Sequence, residues 1–466
     1  MQETPFYQAA YFDETYVHPL GVAALVLLCV IQLSVPRRHA VLPFLLLICF
    51  VPCSQRLSIL GLDFNFLRIL ILCGWLRVLA RGEARGFRWL KLDKIMVAWG
   101  VVESIAYVLL HRDFASVVYM SGRMLESLGG YFLVRWLIRD LADVKRLALA
   151  AAWIAVPVAV CFAIEKVTGR NWFSIFGGVP AMTPVREGKL RAMGAIGNPI
   201  LAGCFWVALL PYIGALWWSR EGKGAAVLGA LGSLVVIVAC ASSTPIAALG
   251  AAMLGAYMFQ FRNQMSSVRW AVVAGMGAIQ LFMNRPIWHL MVSIDLVGGS
   301  TGYHRFLLID SWVHRVPEWF LIGTKTTAGW GPGLEDITNQ YILESVRGGV
   351  GAFVLFVASI VVAFQYVGHL RRAVAGDPER ETLAWAVGVA IFVHCMSFLA
   401  VSYFAQVVFG WSLSIAMAAG LMSGLATSEV RVSTPVPAAA SPGARSHSSG
   451  PMRPVRRHGR LLGETP

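Results

Sequence analysis

The residue types able to do chemistry gather in one stretch, residues 301–351. It holds Arg305, Asp310, His314, Arg315, Glu318, Lys325, Glu335, Asp336, Glu344 and Arg347, in a chain with only 14% charged residues. The run Gly329-Trp330-Gly331-Pro332-Gly333 reads as a flexible turn leading to Asp336 and Asn339. These two stand three residues apart at the mouth of a helix expected from Tyr341, a spacing that shares a helical face. A carboxylate there can take the proton of a hydroxyl nucleophile or orient it; it can equally cap the helix. Glu344 and Arg347 open the same helix, either as an ion pair or as substrate contacts. Gly348, Gly349 and Gly351 follow, where small residues let helices approach closely. Upstream, Arg305 and Trp312 lie seven apart, two helical turns, and Arg315 follows. His304 and His314 fall on different faces, so they are not paired as metal ligands.

A second group is Arg191-Ala-Met-Gly-Ala-Ile-Gly-Asn198-Pro199. Pro199 suits the first turn of a helix and Asn198 suits its cap. Free N–H groups at such a start favour an anion, and Arg191 adds a charge that can fork onto phosphate. An interfacial arginine beside an ordinary cap is the plainer alternative.

The elements that must position these groups are membrane helices. The chain is 57% hydrophobic, and its charged fraction is well under the ~25% of soluble proteins. A charge at bilayer depth costs several kcal/mol, which explains the deficit. Apolar runs near 20–35, 41–52, 66–79, 95–110, 117–138, 147–167, 199–218, 225–240, 245–261, 270–283, 341–367, 383–403 and 407–425 predict an all-α polytopic membrane protein with about 12–13 transmembrane helices. Met1 to Pro19 lacks the basic n-region of a secretory signal. Alternate short loops, with the C-terminal tail, hold 25 of the 39 Lys and Arg. Lys and Arg in short loops mark the cytoplasmic side, so the N-terminus is expected outside and the C-terminus inside. The net charge of +14 is therefore an orientation signal and excludes a nucleic-acid footprint. Two long loops, about 168–198 and 284–340, fall outside. In the second, Phe306, Ile309, Val313 and Val316 predict one face of a short helix lying over the bundle. Residues 1–428 form the transmembrane domain. Residues 429–466, rich in Pro, Ser, Ala and Arg, predict a disordered cytoplasmic tail whose arginines touch anionic lipid heads. The eight cysteines lie in or at the ends of apolar runs without a Cys-x-x-Cys pair, so neither a zinc site nor a disulfide framework is expected.

Three motifs together resemble the O-antigen ligase and polymerase superfamily of bacterial inner-membrane glycosyltransferases. One is Arg-x-x-Gly-x-x-Gly-Asn-Pro, here Arg191 to Pro199. Another is Arg305 with Trp312, Pro317 and Gly323 in a large periplasmic loop. The third is Asn339, Tyr341 and Ile342, then the acid Glu344 and Gly348-x-x-Gly351. The likeness covers roughly residues 57–351 and, in topology, most of the chain. It implies a multi-pass inner-membrane enzyme with a periplasmic active face, using neither metal nor cofactor. Its donor is a glycan on undecaprenyl diphosphate. Membrane lipids and other polysaccharide-assembly membrane proteins are the expected partners, nucleic acid is not. The resemblance gives Arg191 and Arg305 the family's functional roles. With Asp336 they form the expected catalytic set; Arg315, His314, Trp312, Asn339, Glu344 and Arg347 are the expected substrate contacts. The family's ligases have a histidine just before the Asn; here Thr338 stands there, with Asp336 two residues upstream. That departure argues for a polymerase of secreted or capsular polysaccharide over a lipid A ligase. A transporter or flippase for an anionic lipid or sugar is the alternative of another class.

Overall fold

In lipid an apolar segment can satisfy its backbone only as a helix or a closed barrel, and this chain takes the first course. A computed structural model describes residues 17–59, 62–293 and 302–433. The helices, in chain order, are α1 (Pro19–Ser34), α2 (Leu42–Phe50), α3 (Phe66–Ala80), α4 (Lys91–His111), α5 (Phe114–Met124), α6 (Gly130–Leu137), α7 (Leu141–Thr168) and α8 (Pro199–Ala215). There follow α9 (Lys223–Ala239), α10 (Ser243–Tyr257), α11 (Met265–Phe282), α12 (Gly302–His314), α13 (Val316–Trp319), α14 (Gln340–Ala373), α15 (Pro378–Phe398) and α16 (Val408–Ser433). Sheet among the described residues is confined to two antiparallel hairpins, β1 (Arg56–Ile59) with β2 (Leu62–Asn65), and β3 (Val185–Arg186) with β4 (Lys189–Leu190). The protein is an all-α polytopic membrane protein.

Every expected apolar run lies on a helix. Among the described residues eight helices are long and apolar enough to cross a membrane, and α1 and α9 are shorter apolar helices. The other runs fall short for local reasons. α2 is only 9 residues long. α3 starts directly from a hairpin, capped by Asn65. The run through Arg123 and Glu126 is broken by a wider turn, Leu125–Gly129, between α5 and α6.

The bundle has two chemically distinct ends. At one, Arg37 meets Asp143 at 2.7 Å, Lys145 meets Glu379 at 2.6 Å, and Arg262 and Arg371 share Glu381 at 2.9 and 3.1 Å. These are the loops whose Lys and Arg set the expected orientation, and they sit together. At the other end lie the two long loops. The main core runs through the bundle. α11 stands apart, with no buried residue.

The loop between α11 and α14 has a small core of its own, made by Leu308, Trp319, Trp330, Leu334, Ile342 and Val346. α12 forms as the periodicity predicts, but its inward face differs. Leu308 is fully buried, while Ile309 and Val316 only flank it. The cause is Trp312, which stacks on Trp319 (centroids 4.9 Å apart, 12° between planes) and donates from Nε1 to Ser345 Oγ at 2.8 Å. Arg305, Leu308 and Trp312 thus share the face turned to the bundle. Backbone bonds clamp the loop further, with Thr324 N donating to Val346 O at 2.9 Å and Val350 N to Phe320 O at 2.8 Å. They cross α14 where Gly349, at φ 66° and ψ −166°, interrupts the helix. A Cβ at Gly349 would collide with the carbonyl oxygen of Leu321.

Residues up to Ala426 form one compact unit. The helix α16 runs to Ser433, past residue 429, where the disordered tail is expected to start. The remainder of that tail lies outside the described residues.

Candidate functional site

The Arg191 loop is built by hairpin chemistry. Glu187 (φ 52°) and Gly188 (φ 71°) form the two-residue turn between β3 and β4, and both positive φ values suit that turn type. Arg191 N then donates to Pro184 O at 3.0 Å and Ala192 N to Ala239 O at 3.1 Å. The Glu165 carboxyl, at the end of α7, accepts from Met193 N and Gly194 N, both at 3.0 Å, and from Thr183 Oγ1 at 3.1 Å. Gly194 sits at φ 57° with its missing Cβ aimed at the Phe162 ring; a side chain fits neither the conformation nor the space. Asn198 caps α8, its Oδ1 accepting from Ile200 N at 2.9 Å and Leu201 N at 3.1 Å. The cap was expected; the anion seat on free N–H groups there was also expected, and that part is corrected. Asn198 occupies the amides of Ile200 and Leu201, and Pro199 has none, so the first turn offers no free N–H to an anion.

Arg305 arrives from α12. Its Nη2 donates to Thr244 Oγ1 at 2.9 Å, in the first turn of α10. Both loops therefore reach the same short turn between α9 and α10. The residue after Arg191 bonds to Ala239, and Arg305 bonds to Thr244. The Nε atoms of Arg191 and Arg305 are buried with no partner among the described residues. Burial, with Arg186 on β3 acting in the same direction, pushes the pKa of both guanidiniums down. Cations that are partly desolvated, close to a third cation and short of acceptors are arranged to take an anion with several oxygens.

Asp336 lies in a bend before α14, not on its first turn, so it shares no helical face with Asn339. The cap of α14 is Asn339, whose Oδ1 accepts from Ile342 N at 3.2 Å. Its Nδ2 donates to Leu399 O at 3.3 Å. Buried, and bonded at both ends of its amide, Asn339 positions the helix. Asp336 is exposed, yet partial desolvation raises its pKa above the usual carboxylate value, opposed by His304. His304 precedes Arg305 on α12 and donates from Nε2 to Gly333 O at 2.9 Å. Asp336 therefore stands at the rim of the arginine helix. Thr338 Oγ1, one residue before the helix cap, is buried with no partner among the described residues.

The other expected contacts disperse. Trp312 is a wedge between α12 and α14. His314 donates to Asp310 O at 2.8 Å and Arg315 pairs with Glu318 at 3.0 Å, each within one turn on the outer surface. Neither joins the arginine site. Glu344 does not pair with Arg347. It accepts from Trp99 Nε1 at 2.8 Å, Gln340 Nε2 at 2.6 Å and Arg123 Nη2 at 3.3 Å, and Arg123 also holds Glu103 at 3.0 Å. A cavity of about 20 Å³ beside Glu344, Arg123, Gln340 and Tyr403 has room for about one water. Arg347 turns instead to the Tyr119 hydroxyl at 3.0 Å, with its Nη1 buried and without a partner among the described residues. Among the described residues no cluster of His, Cys, Asp and Glu has metal-site geometry.

Sequence reasoning missed Arg186 and Thr244. For Arg186 a signal exists, since Glu187-Gly188 between Val185-Arg186 and Lys189-Leu190 is a hairpin pattern ending next to Arg191. Thr244 has no local signal; only the tertiary contact with Arg305 identifies it. No protein-family model matches the chain, and no curated protein is similar to it at a significant level.

Proposed function

We propose that the protein is a membrane glycosyltransferase. It moves a glycan from undecaprenyl diphosphate to an acceptor hydroxyl, at the end of the bundle where the two long loops lie. The observation supporting this most is the pair Arg191 and Arg305, delivered from separate loops to one turn with buried, unpartnered Nε atoms. In the reaction the bond between the anomeric carbon and the phosphate oxygen breaks. A new bond forms from that carbon to the acceptor oxygen. Asp336 takes the hydroxyl proton, and polyprenyl diphosphate leaves with its developing charge met by the arginines. The residues fit a periplasmic face of a bacterial inner membrane. Thr338 in place of the ligases' histidine favours polymerisation of repeat units over transfer to lipid A.

A second reading, a lipid or sugar transporter, draws support from Glu103 and Glu344, buried carboxyls on two spanning helices that share the cation Arg123, since transporters keep their relays within the membrane. Glycan profiling of a deletion strain separates the readings. Accumulated single repeat units on lipid support the polymerase, and free lipid-linked long chains a ligase. Full-length lipid-linked substrate retained on the inner face would replace the enzyme by a transporter.

A further inference from the structure

We infer that Glu165 is the positioning residue of the arginine site, setting the direction of Arg191 through the backbone that follows it. The inference rests on the diphosphate reading above.

Glu165 sits near the end of α7 and is 1% exposed. A buried carboxyl in a membrane helix is costly and needs partners. This one has three, and two are consecutive backbone amides of the Arg191 loop, Met193 N and Gly194 N, each on a different carboxyl oxygen. The third, Thr183 Oγ1, comes from the strand-like segment just before β3. Glu165 thus grips both sides of the hairpin that presents Arg186 and Arg191. The grip falls two and three residues beyond Arg191, while Arg191 N is itself fixed to Pro184 O and Ala192 N to Ala239 O. With the backbone pinned on each side, the guanidinium has little freedom but its own rotamers. Other contacts hold the far end of the loop, where Asn171 Nδ2 donates to Gly194 O at 3.0 Å and Cys53 N to Ala195 O at 3.2 Å. Neither replaces an acceptor for the two amides.

Gln at position 165 has the same shape but offers one oxygen, so its NH₂ must confront one of the amides. A role confined to folding and a role in aiming Arg191 differ in their dependence on Arg191. The test uses the full chain in nanodiscs and farnesyl diphosphate as probe, in the wild type, Glu165→Gln, Arg191→Ala and the double variant. Glu165→Gln is expected to weaken binding roughly tenfold, the worth of one charge-assisted hydrogen bond. It should have no further effect in the Arg191→Ala background. Hydrogen exchange at the amides of Met193 and Gly194 should accelerate in Glu165→Gln. Equal weakening in both backgrounds, or unchanged exchange at those amides, overturns the inference. If Glu165→Gln does not insert, Thr183→Val replaces it, with a smaller loss that must likewise vanish beside Arg191→Ala. Wild-type protein that fails to bind the probe removes the diphosphate reading itself. Binding that is weakened but still measurable in Arg191→Ala, and weakened further by the same factor when Glu165→Gln is added, removes only the positioning role.

Discussion

Replacing Asp336 by Asn isolates one chemical property. The shape is kept and the proton acceptor is lost. No helix cap is at stake, because Asn339 caps α14, so a merely structural Asp336 predicts near-normal behaviour. If Asp336 is the general base, turnover should fall 10²–10⁴-fold, about 3–5 kcal/mol of barrier. Stability should move the other way. The folded pKa of this carboxyl is raised by desolvation, with His304 opposing. Its stabilising effect is therefore present at acid pH, below the unfolded pKa, and is lost as pH rises through the folded one. At neutral pH the ionised group is mildly unfavourable, and Asn relieves it. The thermal midpoint of Asp336→Asn should equal or slightly exceed that of the wild type. The pH profile adds a third criterion. Wild-type kcat/KM should fall on the acid side with an apparent pKa above the ordinary carboxylate range, and the variant should lose that limb. The assay is elongation of a lipid-linked oligosaccharide by purified protein in nanodiscs, read as a product ladder at matched protein. Wild-type rates in Asp336→Asn, or an unchanged acid limb, refute the base.

Arg191→Lys and Arg305→Lys keep the charge but lose the planar fork, and each should lower elongation roughly 10²-fold while the protein still inserts; normal ladders from both would remove the clamp. Arg123→Gln leaves Glu103 and Glu344 buried without their shared cation, and should cost about 3–5 kcal/mol, seen as a lower thermal midpoint in detergent. Gly349→Ala forces a Cβ into a left-handed, occupied position and should cost at least about 2 kcal/mol, with faster proteolysis of residues 302–339; wild-type resistance would contradict the crossing. A cysteine at Lys325 in an otherwise cysteine-free chain should react with an impermeant reagent in intact cells; labelling only after permeabilisation would invert the orientation.

The membrane architecture was readable because lipid leaves the backbone few choices. Each apolar run became a helix, including those holding Arg123, Glu126 and Glu165. What hydropathy could not weigh was length, since α2 and α3 are short where hairpin and neighbouring helices shield their ends. On α12 the helix was legible and its face was not. The apolar pattern pointed to Phe306, Ile309, Val313 and Val316, but Trp312 found a stacking partner in Trp319 and drew Leu308 and Arg305 inward. The arginine pair could be named from motifs, yet its meeting at the turn before Thr244 depends on contacts far apart in sequence. The same holds for Glu344. Its spacing proposed Arg347 as partner, while the bundle supplied Arg123 and Trp99.

The crossing of residues 320–324 over the break in α14 is made of main-chain groups. Thr324 N reaches Val346 O and Val350 N reaches Phe320 O, while the side chains of Phe320, Leu321 and Ile322 are exposed. Docking of this kind is blind to side-chain identity. A randomised library across 320–322 should return varied functional sequences, whereas Gly349 and the left-handed Gly323 (φ 90°) should return almost only glycine. The crossing can therefore drift in sequence at 320–322 while keeping its place, whereas the rest of the loop is held by side chains such as Trp312 and Trp319.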